Sequence, residues 1–387
     1  MTRARPRGRM AALATAATLM LAACTRGSAP EPATSAPPGD STAAPGTLTV
    51  ALVLAAGGTD PGSVNASAIE GLDRAVDAGA VARSDTEMFE PNVRGTDRRA
   101  VLARAADSGA RLVVAIGPAY SRAVDRVRRD HRRQLFAVVQ GDAVPAPNVA
   151  NLGFAVNEAG FLAGAAAAMK SKTGTVGFLG GQSGTGLVER AQSGFEAGAR
   201  EVDPDVGILV SYLGTDPEAF ADPDAGRAVA ASMYANGADV IAHYAGASGM
   251  GLFAAATELQ RLAIGSDVDE TALVPEDEQE AILTSAVDRV DVAVEDVVRA
   301  AASDTFVGGF HAFGLAEGGV DYAVNEVNAT PRLLSDAMRL RLDELAARVA
   351  AGEIVVPLEP DVEPEVPGAV DPTTGPIPSD APVATPS

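Results

Sequence analysis

The chain reads as an α/β protein of two doubly wound lobes with a cleft between them, and three observations predict this. Apolar runs of strand length alternate strictly with stretches of helical apolar spacing, the pattern of parallel sheets covered by helices on both faces. Those runs are continuous in hydrophobicity, as in strands buried on both sides. At 387 residues the chain exceeds the usual size of one domain, and its strand runs gather around two centres, Leu48–Val139 and Thr175–Gly265.

The first unit sets the pattern. Leu48–Ala56 is an apolar run, Gly57 and Gly58 end it, a polar turn runs from Thr59 to Ser63, and helical spacing begins at Asn65. Such a loop lies at the carboxyl end of a parallel sheet beside a helix N-terminus, where open α/β folds bind ligands. The plainer alternative is an N-cap turn, with Ser63 or Asn65 accepting from free helix amides. Further strands are predicted at Thr86–Glu90, Leu112–Ile116, Leu135–Val139, Thr175–Leu179, Gly207–Tyr212, Val240–Tyr244, Ala263–Gly265, Ala281–Ser285 and Gly308–Phe313. The helices between them are predicted near Asn65–Asp77, Asp97–Asp107, Tyr120–Arg128, Glu158–Lys170, Leu187–Val202, Pro223–Ala235, Gly249–Leu262, Asp288–Ala302 and Pro331–Ala351.

The two ends differ from this body. Arg3, Arg5, Arg7 and Arg9 precede an apolar segment, Met10–Leu21, too short to span a bilayer as a mature helix. It ends in Leu21-Ala22-Ala23-Cys24, which resembles a bacterial lipoprotein processing site. Cys24 is the single cysteine, so no disulfide can form within the chain and the thiol is expected to carry lipid. Each buried methylene contributes about 0.8 kcal/mol, so two or three acyl chains would anchor the protein to the membrane. Residues 1–23 are thus expected to be a signal peptide and residues 24–46 a Pro/Ala/Ser-rich tether. Residues 357–387, acidic and rich in proline, are expected to be a disordered tail.

Composition excludes several functions. With 51 acidic and 30 basic residues the net charge is −21, and the one basic cluster, Arg122–Arg133, has acids interleaved on a predicted helix. No nucleic-acid partner is expected. His131, His243 and His311 lie apart, with no metal-ligand spacing. Ser183 and Ser193 have no nearby histidine, and Gly184-Thr185-Gly186 lacks the Lys-Ser/Thr of a phosphate loop. No enzyme, metal or cofactor is expected. The formal exception is Gly249-Met250-Gly251-Leu252-Phe253-Ala254, a G-x-G-x-x-A match with Asp267 and Asp269 downstream, which would suit a dinucleotide-dependent enzyme. It lies deep in the second lobe rather than in a first βα turn.

From GGTDPGSVNASAIEGL onward, segments fall in an order that resembles one family, the basic membrane proteins: substrate-binding lipoproteins of bacterial ABC importers that include purine-nucleoside receptors. NVANLGFAVNEAGFLAGAAA, KTGTVGFLGG, FADPDAGRAVAASMYANGADVIAHYAGASGMGLFAAA, AIGSDVDE, ILTSAVDRVDVAV and FGLAEGGVDYAV carry the likeness over Leu48 to about Ala351. The resemblance implies the type I periplasmic-binding-protein fold, two Rossmann-like lobes on a three-segment hinge. Crossovers are expected near Asn151–Phe154, Ser266–Ala281 and Asp304–Phe310. Lobe 1 would comprise 47–152 with 281–306, lobe 2 153–280 with 307–330, and 331–356 a C-terminal helix of unassigned lobe.

It also implies a site for a nucleoside or related polar heterocycle, with permease and ATPase subunits as partners. Asp60, Ser63 and Asn65 match the family's first loop, Phe220 a stacking aromatic, Gly246, Ser248 and Gly249 a glycine-rich turn, and Asp267 a ligand-binding aspartate. Pro61 stands for a second aspartate and Val64 for a stacking phenylalanine, a ring that contributes about 1–3 kcal/mol of base stacking. Tyr120, after Ile116-Gly117, is expected to face the cleft and could supply that ring. Asp288 stands where the family has lysine, and is expected either to pair with Arg289 or to meet ligand donors. A surface lipoprotein that senses a ligand without transporting it is the alternative function.

Overall fold

The computed structural model describes residues 47–362. Cys24, the expected signal peptide, the tether and residues 363–387 lie outside the described residues. Twelve strands occur among those described: β1 (Val50–Val53), β2 (Thr86–Phe89), β3 (Leu112–Ile116), β4 (Leu135–Val139), β5 (Val149–Phe154), β6 (Thr175–Gln182), β7 (Gly207–Gly214), β8 (Val240–Tyr244), β9 (Leu262–Asp267), β10 (Ile282–Asp288), β11 (Gly309–Phe313) and β12 (Val320–Tyr322). The α-helices are α1 (Val64–Asp77), α2 (Arg98–Asp107), α3 (Ser121–Val127), α4 (Val156–Lys170), α5 (Leu187–Val202), α6 (Pro223–Ala235), α7 (Gly249–Leu259), α8 (Glu276–Gln279), α9 (Val290–Ala302) and α10 (Asp336–Ala350).

These strands build two six-stranded sheets, ordered β11-β5-β4-β3-β1-β2 and β12-β10-β9-β8-β6-β7. The first is parallel throughout; the second is parallel except where β12 runs antiparallel to β10. Alternation within β1 shows why its sequence is apolar without a break. Val50 and Leu52 pack with Leu72 of α1 and Val294 and Val298 of α9, whereas Ala51 and Val53 pack with Val101 and Leu102 of α2 and Val124 of α3. In the second lobe α4, α5 and α10 cover one face and α6 and α7 the other.

Helix α4 is buried almost all round, which is why its sequence has no polar face. It lies backbone to backbone on α5. A Cβ added at Gly194 would sit 1.8 Å from the Asn157 carbonyl oxygen, and one at Gly198 would sit 1.8 Å from that of Phe161.

Three segments cross between the lobes: Ala155 after β5, Arg289 after β10, and residues 314–319 between β11 and β12. This corrects the expected division. Strand β10, placed with lobe 1, pairs with β9 in the second sheet, while β11, placed with lobe 2, pairs with β5 in the first. The expected crossovers at Ser266–Ala281 and Asp304–Phe310 therefore lie within single lobes. Helix α10 packs on lobe 2 through Leu342, Leu345 and Val349.

The start of the expected disordered tail is also ordered, because buried polar groups receive its backbone. Asn157 Nδ2 donates to the Val356 carbonyl (3.2 Å), Ser193 Oγ to that of Glu359 (2.9 Å) and Gln192 Nε2 to that of Val362 (2.8 Å). The Glu196 carboxylate accepts from the amides of Asp361 (2.8 Å) and Val362 (3.2 Å). Pro357–Val362 is thus a strap on the α4–α5 face. Among the described residues no helix is long and apolar enough to cross a membrane.

Candidate functional site

At the carboxyl edge of the second sheet, three neighbouring strands end in polar side chains: β8 in Tyr244, β9 in Asp267 and β10 in Asp288. The register pairs Asp267 with Val287, so Asp288 follows directly beyond it. Tyr244, Asp267 and Asp288 line a cavity of about 20 Å³ against Val156, Gly160 and Ala163 of α4, room for about one water. Asp288 also lines an open interlobe groove of about 570 Å³, formed by Pro61, Gly62 and Ser63 of lobe 1 and by Val268, Asp269 and Val324 of lobe 2. That volume is ample for a small metabolite. The lobes are further joined here by Gln140, at the end of β4, whose Nε2 donates to Asp288 Oδ2 at 2.9 Å.

Backbone and charge are both strained at this edge. Gln140 (φ 53°) and Asp267 (φ 66°) occupy the left-handed region that side chains other than glycine avoid. Asp267 Oδ1 is shut away from solvent and takes no hydrogen bond. Burial pushes the Asp267 carboxyl up to about 6, helped by the charge of Glu270 and opposed by the Tyr244 phenol and His243. Burial and the charge of Asp267 raise Asp288 as well, against the Gln140 hydrogen bond. Tyr244 is raised by burial and by both aspartates. Beneath them His243 Nε2 and Glu270 Oε2 lie 2.6 Å apart, both buried, and the Ser266 amide donates to the same oxygen at 2.8 Å. Burial alone would lower the pKa of His243, but the charge and hydrogen bond of Glu270 and the charge of Asp267 outweigh it.

Of the residues expected in the site, the structure brings together Asp267 and Asp288. Ser63 lines the groove but is the N-cap of α1, its Oγ accepting from the Ala66 amide at 3.2 Å. Asp60 is exposed on the same loop, where its carbonyl accepts from the Ser63 amide. Asn65 is buried and committed: Oδ1 accepts from the Ala55 amide (2.8 Å), and Nδ2 donates to the carbonyls of Ala55 (2.9 Å) and Gly58 (2.6 Å). It holds the β1–α1 loop instead of presenting its amide to a ligand.

Tyr120 does not face the cleft. A one-turn helix, Pro118–Tyr120, folds the ring under the first sheet beside Val53 and Val124, and its hydroxyl donates to the Leu54 carbonyl at 2.7 Å. Phe220 is half-buried, its ring on the Gly181 backbone at the end of β6. Gly246 takes φ 55° in the turn after β8, close against the Phe220 carbonyl. Ser248 is fully buried and ties two loops, donating to the Ala219 carbonyl (2.9 Å) and accepting from the Asp222 amide (2.8 Å).

Gly249 leaves room for the His243 ring, 2.1 Å from where its Cβ would be, and Gly251 rests 1.9 Å on the same measure from the Pro223 carbonyl. The G-x-G-x-x-A match is thus a packing surface between α6, α7 and the sheet. Arg289 does not pair with Asp288. It turns to Asp291 (2.8 Å) and Asp321 (3.7 Å), since successive residues leaving a strand point to opposite sides. Gln140, Tyr244, His243 and Glu270 escaped sequence reasoning: His243 and Tyr244 end β8 and Gln140 directly follows β4, whereas Glu270 opens a one-turn helix beyond β9 and carries no strand-end signal.

Comparison with known proteins agrees with the two-lobed fold. A family model described as ABC transporter substrate-binding protein, PnrA-like, matches residues 48–352. A CD4+ T-cell-stimulating antigen of Listeria monocytogenes is 33% identical over 327 residues, 81% of this chain and 89% of that one. An ABC transporter nucleoside-binding protein, BmpA, of Lactococcus lactis subsp. cremoris is 28% identical over 80% of this chain and 89% of its own length. Among solved structures, an ABC transporter solute-binding protein from Conexibacter woesei superposes with a TM-score of 0.65 at 23% identity, covering 80% of this chain and 99% of that one.

Proposed function

Since the chain belongs to the PnrA-like family of ABC transporter substrate-binding proteins, we propose that it captures a small polar, nucleoside-like ligand between its lobes and delivers it to the permease of an importer. The observation that supports this most is the edge formed by Tyr244, Asp267 and Asp288, where Asp267 Oδ1 is buried without a partner and Asp288 lines both that enclosed space and the interlobe groove. Such groups cost free energy while empty and regain it on meeting ligand donors. Ala155, Arg289 and residues 314–319 act as the hinge about which the lobes close, and a ligand touching both lobes favours the closed form. Lipid on Cys24 holds the receptor at the outer face of the membrane, beside the permease.

A thermal-shift screen of nucleosides, nucleobases, sugars and amino acids tests the ligand class, because a cleft ligand raises the melting temperature by mass action. Stabilisation by nucleosides is expected; stabilisation by sugars or amino acids alone would overturn the assignment. Loss of labelled-nucleoside uptake in a deletion strain tests the coupling to import.

A further inference from the structure

Asp267 and Asp288 share one space of about 20 Å³, Asp288 also lines the interlobe groove, and among the described residues no arginine or lysine is directed at either. The groups acting on Asp267 are Glu270, Tyr244 and His243; those acting on Asp288 are Asp267 and Gln140. His243 is hydrogen-bonded to Glu270, Arg289 faces Asp291 and Asp321, and Arg190 of α5 acts on Tyr244. Asp269 receives Asn325 Nδ2 at 2.9 Å. Asp267 Oδ1 is buried without a hydrogen bond, and Asp288 is 6% exposed with one donor, Gln140. A neutral ligand would have to leave one of the two carboxyls protonated or meet two buried negative charges without a counter-charge.

We propose that the physiological ligand carries a positively charged amine, received jointly by Asp267 and Asp288. This rests on the interlobe cleft being the ligand site. Its consequence for protons is definite. In the empty protein burial and the charge of Asp267 favour a proton on Asp288. An ammonium that ionises both must displace it, so binding releases a proton to the buffer.

Calorimetry of the full chain with adenosine, 3′-amino-3′-deoxyadenosine, 5′-amino-5′-deoxyadenosine and putrescine tests this, in two buffers of different ionisation heat. At least one amino nucleoside should bind about tenfold or more tighter than adenosine, as expected for a charge-assisted hydrogen bond replacing a neutral one, and with proton release. Asp288→Asn should erase that preference and the release, and Asp288→Lys should abolish binding of the amine. Asp267→Asn should reproduce the loss, and urea unfolding of each variant separates lost binding from lost folding.

Should adenosine bind as tightly as its amino analogues, and Asp288→Lys tighten it, the inference is overturned while the nucleoside reading stands. Putrescine binding that depends on Asp288, with no nucleoside bound, would uphold the charge and overturn the nucleoside. Binding of none of the four probes overturns the inference.

Discussion

Asp267→Asn should make the empty protein more stable above neutral pH while weakening its grip on ligand. The carboxyl lies at about 6 against an ordinary 3.8, and at 1.36 kcal/mol per pH unit the difference corresponds to about 3 kcal/mol. Relaxation of the protein around a buried charge reduces this to about 2 kcal/mol. An acid whose folded pKa is raised holds its proton more tightly when folded. The cost is therefore absent below about pH 4, grows as pH rises, and is complete above the folded value. Asparagine cannot ionise, so the variant should match the wild type near pH 4 and exceed it by about 2 kcal/mol at pH 8. Relief of Asp288 from the Asp267 charge adds to the gain, and the support lost by His243 and by the Tyr244 phenol subtracts from it. Urea unfolding at five pH values, on protein refolded from denaturant to strip bound ligand, measures the difference directly. A variant less stable than wild type at pH 8, or one whose advantage is equal at pH 4 and pH 8, would refute the electrostatic account of this edge.

Gly198→Ala should lower stability despite the roughly 1 kcal/mol that alanine gains in an open helix. Its Cβ would meet the Phe161 carbonyl oxygen at 1.8 Å and force α4 from α5, a net loss of about 2 kcal/mol in urea unfolding. Asn65→Ala removes three hydrogen bonds from the β1–α1 loop and should cost about 2–4 kcal/mol of stability; unchanged unfolding would show that the loop holds without it. Cys24→Ala should move the protein from the membrane fraction, and mass spectrometry of the wild type should find an acylated N-terminal Cys24; an unmodified start elsewhere sinks the anchor.

How much was legible depended on whether information lay along the strands or between them. Parallel strands covered on both faces must be apolar throughout, so runs such as Leu112–Ile116 and Leu135–Val139 declare themselves. Strand β5 does not, because buried Asn151 interrupts it, bonded to the Ala143 amide and carbonyl at 3.1 and 2.8 Å. Three-residue β12 is too short to show a period. The exchange of β10 and β11 between lobes is decided by pairing, of which composition carries no trace. In the site, Asp267 was reached through the family resemblance, since the predicted strand stops at Gly265, two residues short of it. Tyr120 was misplaced because Gly117, at φ 101°, turns the chain back beneath the sheet. Asn65 looked ligand-facing because nothing in a sequence distinguishes an amide spent on its own backbone from one left open.

The described chain begins on one side of its hinge and finishes on the other. Leu48 is buried in the first lobe, and Val362 is tied to Glu196 and Gln192 in the second. A donor and acceptor dye placed beside these two positions would bracket all three crossovers, so that occupancy becomes a change in end-to-end distance. The molecule is laid out as a reagentless optical sensor, one whose reporters need no insertion into either sheet.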